Sequence, residues 1–284
     1  MPPRVLILDG NTTEGNAKIV SLGGKPYGEG YSDALRFFDA SLDITILHAA
    51  GGETLPRGLS LSDFDGIAWT GSALSAYWDQ LEVARQIELA KVVHASGVPC
   101  FGSCWGQQIM CQALGGEVRA NPNGIEIGIA RKIRQTTEGN GHPMFLGKPS
   151  PFDALAIHRD EVIRMPPGGN VLAENNMSAI QAMELAGEHG NFWAVQYHPE
   201  FDLAMIAMLY RRDEAALVRD GLFETGEDVQ ETARGLAELQ EDPANSDLAE
   251  QLYVRPEVID PAIRMAEFGN WLEHKVRPYA ALRV

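Results

Sequence analysis

The sequence predicts an α/β fold, with a mostly parallel β-sheet that has helices on both of its faces. Three short apolar runs, Arg4–Asp9, Asp43–His48 and residues 66–70, are typical of strands that are buried on both sides. Residues 31–41 and 80–96 lie between predicted strands and carry apolar side chains at helical spacing. Strands that alternate with helices form parallel sheets, and such sheets bind ligands beyond the carboxyl ends of their strands.

Composition excludes several classes of protein. The chain has 284 residues, of which 45% are hydrophobic, so a sizeable core is available. Its 23 basic and 39 acidic residues give a net charge of −16, which argues against nucleic acid or an anionic membrane as a partner. We find no membrane-spanning apolar run, and we expect no signal peptide at the Met-Pro-Pro start.

The cysteines point to a reducing compartment. There are three, Cys100, Cys104 and Cys111, and they lack the Cys-x-x-Cys spacing of many zinc and redox sites. An odd number of closely spaced cysteines is not typical of the disulfide frameworks of secreted domains. We therefore expect neither a disulfide nor a metal site, and a cytoplasmic location.

One stretch combines a strand, a tight turn and a helix around a single thiol. Residues 98–101 are short, apolar and β-prone, residues 107–114 are typical of a helix, and Gly102 and Gly106 flank Cys104 between them. This is the layout of a nucleophile elbow with cysteine in place of serine. Glycine is needed on both sides because the sharp turn leaves no room for Cβ atoms. The N-terminus of the following helix favours the reactive thiolate.

The alternative for Cys104 is a buried core cysteine, the commonest fate of a free thiol. A second stretch, 194–200, favours the catalytic interpretation because it is an apolar strand that ends in His198-Pro-Glu200. A cysteine nucleophile needs a base, and the base needs a third group to orient it. His198 and Glu200 can supply both roles from one strand end.

These two motifs together resemble a known family. The Gly-x-Cys-x-Gly-x-Gln pattern at 102–108, followed about a hundred residues later by His-Pro-Glu, is similar to the class I (triad) glutamine amidotransferases. Within them the chain looks most like stand-alone domains related to the amidotransferase half of GMP synthase, over about residues 4–203. The resemblance implies a flavodoxin-like fold, a catalytic triad of Cys104, His198 and Glu200, and no metal or organic cofactor.

The resemblance also implies an oxyanion hole. In the family, the loop after the third strand and the residue after the cysteine each donate a backbone N–H, which here indicates Gly71 and Trp105. Many relatives carry Gly-Gly-Pro in this loop, whereas this chain has Thr-Gly-Ser at 70–72. An ordinary glycine turn remains the alternative for Gly71.

Four further residues match family positions near the substrate. Gln108 matches the glutamine that contacts the substrate's amino-acid end, although a polar residue in the first turn of a helix is an equal alternative. Glu126 lies in a Gly-x-Glu-x-Gly pattern within 117–134, which we expect to be a strand pair. His158 and Asp160 end a strand-like run, 154–162, that looks closer to the γ-glutamyl peptide hydrolases of the family. A solvated surface cluster is the alternative for Arg159, which stands where relatives often have glycine, and for His158.

Two domains are expected. Residues 1–203 would form the catalytic domain and residues 204–284 a helical C-terminal extension, with helices at 202–220, 227–240 and 261–276. The last helix carries an apolar stripe: Ala262, Met265, Ala266, Phe268, Trp271 and Leu272. Such a stripe usually packs on the parent domain, and docking to a partner or to a second copy is the alternative.

The function that the motifs indicate is cysteine-dependent hydrolysis of a γ-glutamyl amide through a γ-glutamyl thioester. In one version the small-molecule substrate is glutamine, and ammonia passes to a separate synthase subunit. In the other the protein acts alone on a γ-glutamyl amide or peptide. A non-catalytic binding module and a thiol protease of the same superfamily are further alternatives. The sequence leaves a homo-oligomer open.

Overall fold

The structure is a computed structural model that describes residues 2–187 and 190–283. Within these residues the strands are β1 Arg4–Asp9, β2 Asp43–His48, β3 Gly66–Trp69, β4 Cys100–Ser103, β5 Glu117–Ala120, β6 Glu126–Gln135, β7 Phe152–His158, β8 Asp160–Arg164, β9 Gly169–Glu174, β10 Ala182–Gly187 and β11 Gly190–Val195.

The same parts of the chain contain the helices α1 Thr13–Ser21, α2 Tyr27–Phe38, α3 Leu81–Ala95, α4 Trp105–Ala113, α5 Leu203–Arg219, α6 Gly226–Glu241, α7 Ser246–Gln251, α8 Pro256–Ile259, α9 Pro261–Arg264, α10 Ala266–Trp271 and α11 Arg277–Ala281. Short 3₁₀ turns span Leu61–Asp63 and Pro143–Phe145, and a π-helical turn spans Leu272–Val276. Across this described chain, no helix combines the length and apolarity needed to cross a membrane.

The central sheet has nine described strands in the order β2-β1-β3-β4-β11-β10-β9-β6-β7. Strands β2, β1, β3, β4 and β11 pair in parallel, and the remaining pairs are antiparallel. Helices cover both faces, so the predicted α/β fold class is confirmed. The strands predicted from apolar runs, β1, β2 and β3, all lie in the parallel part of the sheet. Strands that are buried on both faces are continuously apolar in sequence.

Two predicted strand assignments are wrong. The expected strand pair in 117–134 does not form: β5 pairs with β8 in a separate two-stranded sheet, while β6 pairs with β7 and β9. The expected single strand in 154–162 breaks at Arg159 into β7 and β8. The break follows from a long-range hydrogen bond, since the carbonyl of Arg159 accepts from the Asn121 amide at 2.8 Å and the chain then continues into the second sheet.

The C-terminal apolar stripe packs on the parent domain, as the commoner interpretation predicted. Five of its six apolar side chains are buried: Met265, Ala266, Phe268, Trp271 and Leu272. All of these but Ala266 belong to the core cluster that also contains Tyr31 and Phe101. The sixth, Ala262, is exposed. The expected continuous helix 261–276 is wrong, because the backbone of Met265 leaves helical geometry and separates α9 from α10. The domain boundary at residue 203 stays a prediction.

Helices α5 and α6 form a second layer at the antiparallel end. Ile206, Leu209 and Leu217 of α5 share an apolar cluster with Leu155 of β7 and with Ile19 of α1. Helix α1, which was not among the predicted elements, therefore joins the same cluster as α5. The cluster brings the segment that follows β1 to the same sheet edge as the segment that follows β11.

Replacing Trp271 with alanine tests whether the C-terminal segment belongs to the core. The Trp271 ring packs so closely on β3 that a Cβ atom on Gly66 would lie 2.8 Å from it. We expect the free energy of unfolding to fall by roughly 3–5 kcal/mol in urea denaturation, as for large aromatic truncations. Leu282→Ala is the control, because Leu282 is 85% exposed and its loss should change stability by less than about 0.5 kcal/mol. Equal stabilities for the two variants would contradict the buried role.

Candidate active site

The pairing of β4 with β11 brings the two sequence motifs together. The strands are parallel neighbours, with Ser103 opposite Val195, and both end at the same sheet edge. The backbone amide of Cys104 donates to the carbonyl of Val195 at 2.8 Å. The chain that leaves β4 therefore begins at Cys104, and the chain that leaves β11 reaches His198 three residues later.

The turn at Cys104 has the strained geometry of a nucleophile elbow. Cys104 has φ 49° and ψ −99°, a conformation that L-residues rarely adopt. A Cβ on Gly102 would lie 2.8 Å from the Gly106 carbonyl carbon, and one on Gly106 would lie 2.7 Å from the Trp69 carbonyl oxygen. The prediction that both flanking glycines are required by close approach is confirmed.

Helix α4 begins immediately after the thiol, two residues earlier than the sequence indicated. The first N–H groups of α4 have no acceptor within the helix, and the helix dipole favours a negative sulfur at this end. The Cys104 side chain is only 5% exposed, and its sulfur faces the carbonyl oxygen of Ile157 at 3.6 Å. Strand β7 therefore forms the wall opposite the helix.

His198 is held on three sides. Its Nδ1 lies 2.7 Å from Glu200 Oε1, its ring stacks on Phe201 with centroids 4.0 Å apart, and its amide donates to the carbonyl of Leu155. Its Nε2 is buried and has no hydrogen-bond partner among the described atoms. That nitrogen is therefore free to exchange a proton with a substrate.

The charge of His198 follows from this environment. Burial alone would lower the pKa of the imidazole, but the negative charges of Glu200 and Cys104 outweigh it and raise the pKa to about 10. At neutral pH the imidazole is thus protonated in the resting site. A protonated histidine beside a thiolate is the arrangement that acyl transfer to a cysteine requires.

Gly71 and Trp105 flank this pair. A Cβ on Gly71 would lie 2.7 Å from Cε1 of His198, so only glycine allows the loop after β3 to approach the imidazole. The hydroxyl of Thr70 fixes the loop by accepting from the Gly10 amide at 3.0 Å. Trp105 is the first residue of α4, where backbone N–H groups have no intrahelical acceptor.

Glu126 and His158 contact each other directly. His158 Nε2 lies 2.8 Å from Glu126 Oε2, which also accepts from Gln181 at 2.7 Å, and Asn175 donates to Glu126 Oε1 at 2.7 Å. Burial would raise the pKa of Glu126, but these donors outweigh it and lower the pKa. His158 Nδ1 also faces an acceptor, the carbonyl oxygen of Asp160 at 2.9 Å, so each ring nitrogen of His158 lies beside an oxygen that can accept a hydrogen bond.

Gln108 of α4 and Asp160 of β8 are linked by hydrogen bonds. The Gln108 amide donates to the Asp160 carbonyl at 3.2 Å and to Gln196 Oε1 at 3.1 Å. The Asp160 carboxylate accepts from the hydroxyl of Tyr77, which extends from the loop after β3. All four predicted substrate residues are buried, so the surface-cluster alternative is wrong for His158, whereas the side chain of Arg159 is exposed. Their contacts with substrate stay predictions.

Sequence reasoning missed several residues that contact Glu200 or His198, directly or through one intervening side chain. Ser103 donates to Glu200 at 3.1 Å, and the Tyr31 hydroxyl donates to Ser103 at 2.5 Å. Phe201 supplies the stacking face for His198. Only Phe201 left a local signal, as an aromatic residue directly after the His-Pro-Glu motif. In the described parts of the chain, no group of three or more His, Cys, Asp or Glu side chains could hold a metal ion.

The geometry defines a class of protein: a hydrolase on an α/β sheet, with a cysteine on a strained elbow and a histidine–glutamate pair beside it. A model of the glutamine amidotransferase class-I family matches residues 52–214, more than half of the chain. The chain belongs to the class I glutamine amidotransferase family, whose members are enzymes that act on C–N bonds.

One curated relative matches almost the whole chain. It is the γ-glutamyl-L-1-hydroxyisopropylamide hydrolase of a Pseudomonas species, 36% identical over 283 residues, which cover 98% of this chain and 94% of that protein. The GMP synthase of Aromatoleum aromaticum is also 36% identical, but over 115 residues, which cover 37% of this chain and 20% of the synthase.

Solved structures show the same fold. A glutamine amidotransferase from Thermotoga maritima superposes with a TM-score of 0.67 at 16% identity, over 97% of this chain and 99% of that one. A glutamine amidotransferase from Methylobacillus flagellatus superposes with a TM-score of 0.58 at 20% identity, over 99% and 94%. At these identities the likeness concerns the fold.

Selective alkylation tests the distinct environment of Cys104. Burial raises the pKa of Cys100, and raises the pKa of Cys111 to about 12, so both stay as unreactive thiols at neutral pH. We expect iodoacetamide at pH 7 to modify Cys104 at least about tenfold faster than the other two, as mapped by peptide mass spectrometry. His198→Gln should slow the reaction at Cys104, because the sulfur loses its cationic neighbour. Equal labelling of the three cysteines in the native protein would contradict a distinct reactivity of Cys104. Urea-denatured protein is the control, in which all three cysteines should react.

Proposed function

We propose that this chain is a self-sufficient hydrolase of a γ-glutamyl amide that releases glutamate and a small amine. The observation that carries the proposal is the similarity to a γ-glutamyl amide hydrolase over 98% of the chain, including the residues beyond the family match at 52–214. Similarity to GMP synthases is confined to about half of this chain or less, and the chain spans only a fifth to about a quarter of those proteins.

The first half-reaction forms a thioester. The Cys104 thiolate attacks the γ-carbonyl carbon, the C–S bond forms, and the carbonyl electrons move to oxygen. The N–H groups of Gly71 and Trp105 stabilise this oxyanion; loss of one such donor costs roughly 2.7–4 kcal/mol in other enzymes. As the tetrahedral adduct collapses, the C–N bond breaks, and protonated His198 gives its Nε2 proton to the leaving amine.

The second half-reaction returns the enzyme to its starting state. His198, now neutral, takes a proton from water while the water oxygen attacks the thioester carbon. The C–S bond breaks, the thiolate re-forms beside a protonated imidazole, and glutamate leaves. Glu200 orients the imidazole throughout and stabilises its charged form. We propose that the glutamyl portion of the substrate binds against four buried side chains: Gln108, Glu126, His158 and Asp160.

A second candidate is a glutaminase that passes ammonia to a synthase on another chain. The partial matches to glutamine-hydrolysing GMP synthases favour it, because those proteins act on glutamine itself. In either case we propose a small-molecule substrate and a cytoplasmic location, where a working thiol stays reduced.

A substrate panel separates the two candidates. Purified protein is given glutamine, γ-glutamyl dipeptides and γ-glutamyl alkyl- and aryl-amides, and released glutamate is measured. The proposal predicts that a substituted amide is turned over at least about tenfold more efficiently than glutamine. Turnover confined to glutamine would contradict it and favour the ammonia-donating candidate.

Cys104→Ala should abolish turnover. Removal of the nucleophile leaves no route to the thioester, so we expect kcat to fall by roughly 10³-fold or more while folding is retained. The matched control is Cys100→Ala, which removes a buried thiol at the start of β4. A Cys104→Ala enzyme with activity within tenfold of wild type would contradict the covalent mechanism.

The alkaline limb of the pH profile should report the charge of His198. Its pKa is raised from 6.5 to about 10, so the protonated form is favoured in the folded site. The associated stabilisation is fully present below pH 6.5 and is lost as the pH rises through about 10. We expect kcat/KM to decline near pH 10 because the proton for the leaving amine is lost. Glu200→Gln should move this decline at least one pH unit lower. The neutral amide no longer raises the pKa of His198, so burial lowers that pKa with less opposition. An unmoved limb would show that Glu200 does not set the pKa of His198.

A further inference from the structure

A buried chain of hydrogen bonds leads from Tyr31 to the catalytic pair. The Tyr31 hydroxyl donates to Ser103 Oγ at 2.5 Å, and Ser103 Oγ donates to Glu200 Oε1 at 3.1 Å. The same carboxylate oxygen lies 2.7 Å from Nδ1 of His198. Tyr31 and Ser103 are completely buried, so solvent cannot substitute for either hydroxyl.

The direction of every proton in this chain is fixed. Burial raises the pKa of Tyr31, and the nearby Glu200 carboxylate raises it further, so Tyr31 keeps its proton and donates it. Ser103 has one hydroxyl proton, and because it accepts from Tyr31 it directs that proton to Glu200. The donors thus all point toward the carboxylate. Among the described atoms, Glu200 Oε2 has no partner, so Ser103 and His198 fix the rotation of the carboxylate.

Helix α10 in the C-terminal segment contacts both Tyr31 and the residue that precedes His198. Phe268 packs edge-on against Tyr31 with ring centroids 5.0 Å apart, and it lies at the same distance from Phe101 of β4. Its neighbour Glu267 accepts a 2.5 Å hydrogen bond from Tyr197, the residue before His198. Both contacts come from α10, outside the part of the chain that the family model matches.

A buried cation completes the anchor of Tyr197. Lys148 Nζ lies 3.0 Å from Glu267 Oε1, with the two side chains 1% and 0% exposed. The same ammonium lies 4.7 Å from the centre of the Phe152 ring and 5.5 Å from that of Tyr197. Removing one partner of a buried ion pair is strongly destabilising, because the other charge is left without compensation. The pair therefore connects α10 to the segment that carries Lys148.

We propose that Tyr31 and Ser103 are positioning residues that fix Glu200, and that Glu267 and Phe268 of α10 hold this arrangement in place against the core. The proposal rests on the proposed function, because it assigns a role in the same catalytic cycle. If the two hydroxyls only satisfied each other in the core, the chain of donors would end at Ser103. It continues instead to the carboxylate that orients the base.

Two small deletions test the positioning role. Tyr31→Phe removes only the hydroxyl and keeps the ring on Phe268, and Ser103→Ala removes the donor to Glu200. Each loses a hydrogen bond in a chain that ends on a charged group, so we expect kcat per folded enzyme to fall roughly 10- to 100-fold, with KM changed less than about threefold. The double variant should lose no more than the stronger single variant, because both residues act through Glu200.

Ser32→Ala is the matched control. Ser32 follows Tyr31 on α2 and is also buried, but its hydroxyl accepts from Arg36. Its kcat should stay within about twofold of wild type, a change of less than about 0.5 kcal/mol. Phe268→Leu, which keeps an apolar side chain on Tyr31 but loses the ring, should lower kcat in the same direction as Tyr31→Phe by a smaller factor. If Phe268→Leu leaves kcat unchanged, the C-terminal anchor is contradicted.

A second readout is independent of substrate. The alkylation rate of Cys104 by iodoacetamide at pH 7 depends on a protonated, correctly placed His198. We expect it to fall in Tyr31→Phe and Ser103→Ala and to match wild type in Ser32→Ala. Lowered thermal stability with unchanged kcat and unchanged alkylation would overturn the proposal and leave a structural role. If wild-type protein hydrolyses no γ-glutamyl amide, the proposed function fails, but slower alkylation in the two variants still supports the positioning role.

Discussion

The parallel pairing of β4 with β11 is the constraint on which the site depends. It joins residues that lie 97 positions apart in sequence, Ser103 and Glu200, within one hydrogen bond. It places Cys104 and His198 close together, because each strand ends in one of the two motifs at the same sheet edge. The β3–β4 pairing adds the loop that carries Gly71. The antiparallel strands beyond β11 then supply the wall opposite the thiol.

Close packing sets the second requirement. The elbow brings β3, β4 and the first turn of α4 within backbone contact, so glycine at 102 and 106 is a steric necessity. The strained backbone of Cys104 persists because these neighbours fix it. Local strain, a helix N-terminus and a buried imidazole act together on one sulfur. Each of these three features alone has a modest effect on the sulfur, and the site depends on all three acting at the same residue.

Much of the parallel half could be predicted from the sequence, and the reasons are physical. Strands buried on both faces leave continuous apolar runs, and an elbow must contain its glycines. The pairing of β5 with β8, and the separation of β7 from β8, depend on long-range hydrogen bonds that no local pattern records. The apolar stripe at 262–272 predicted burial, but the bend at Met265 left no signal. The Tyr31–Ser103 contact spans 72 residues, so the role of either hydroxyl could be found only in three dimensions.

The central claim is that hydrolysis proceeds through a γ-glutamyl thioester on Cys104. Rapid acid quenching of wild-type enzyme during turnover of its best γ-glutamyl amide, followed by peptide mass spectrometry, measures this directly. The account predicts a γ-glutamyl adduct on the peptide that contains Cys104, formed within one turnover and lost when substrate is exhausted. Turnover with no adduct, or an adduct on Cys100 or Cys111, would contradict it.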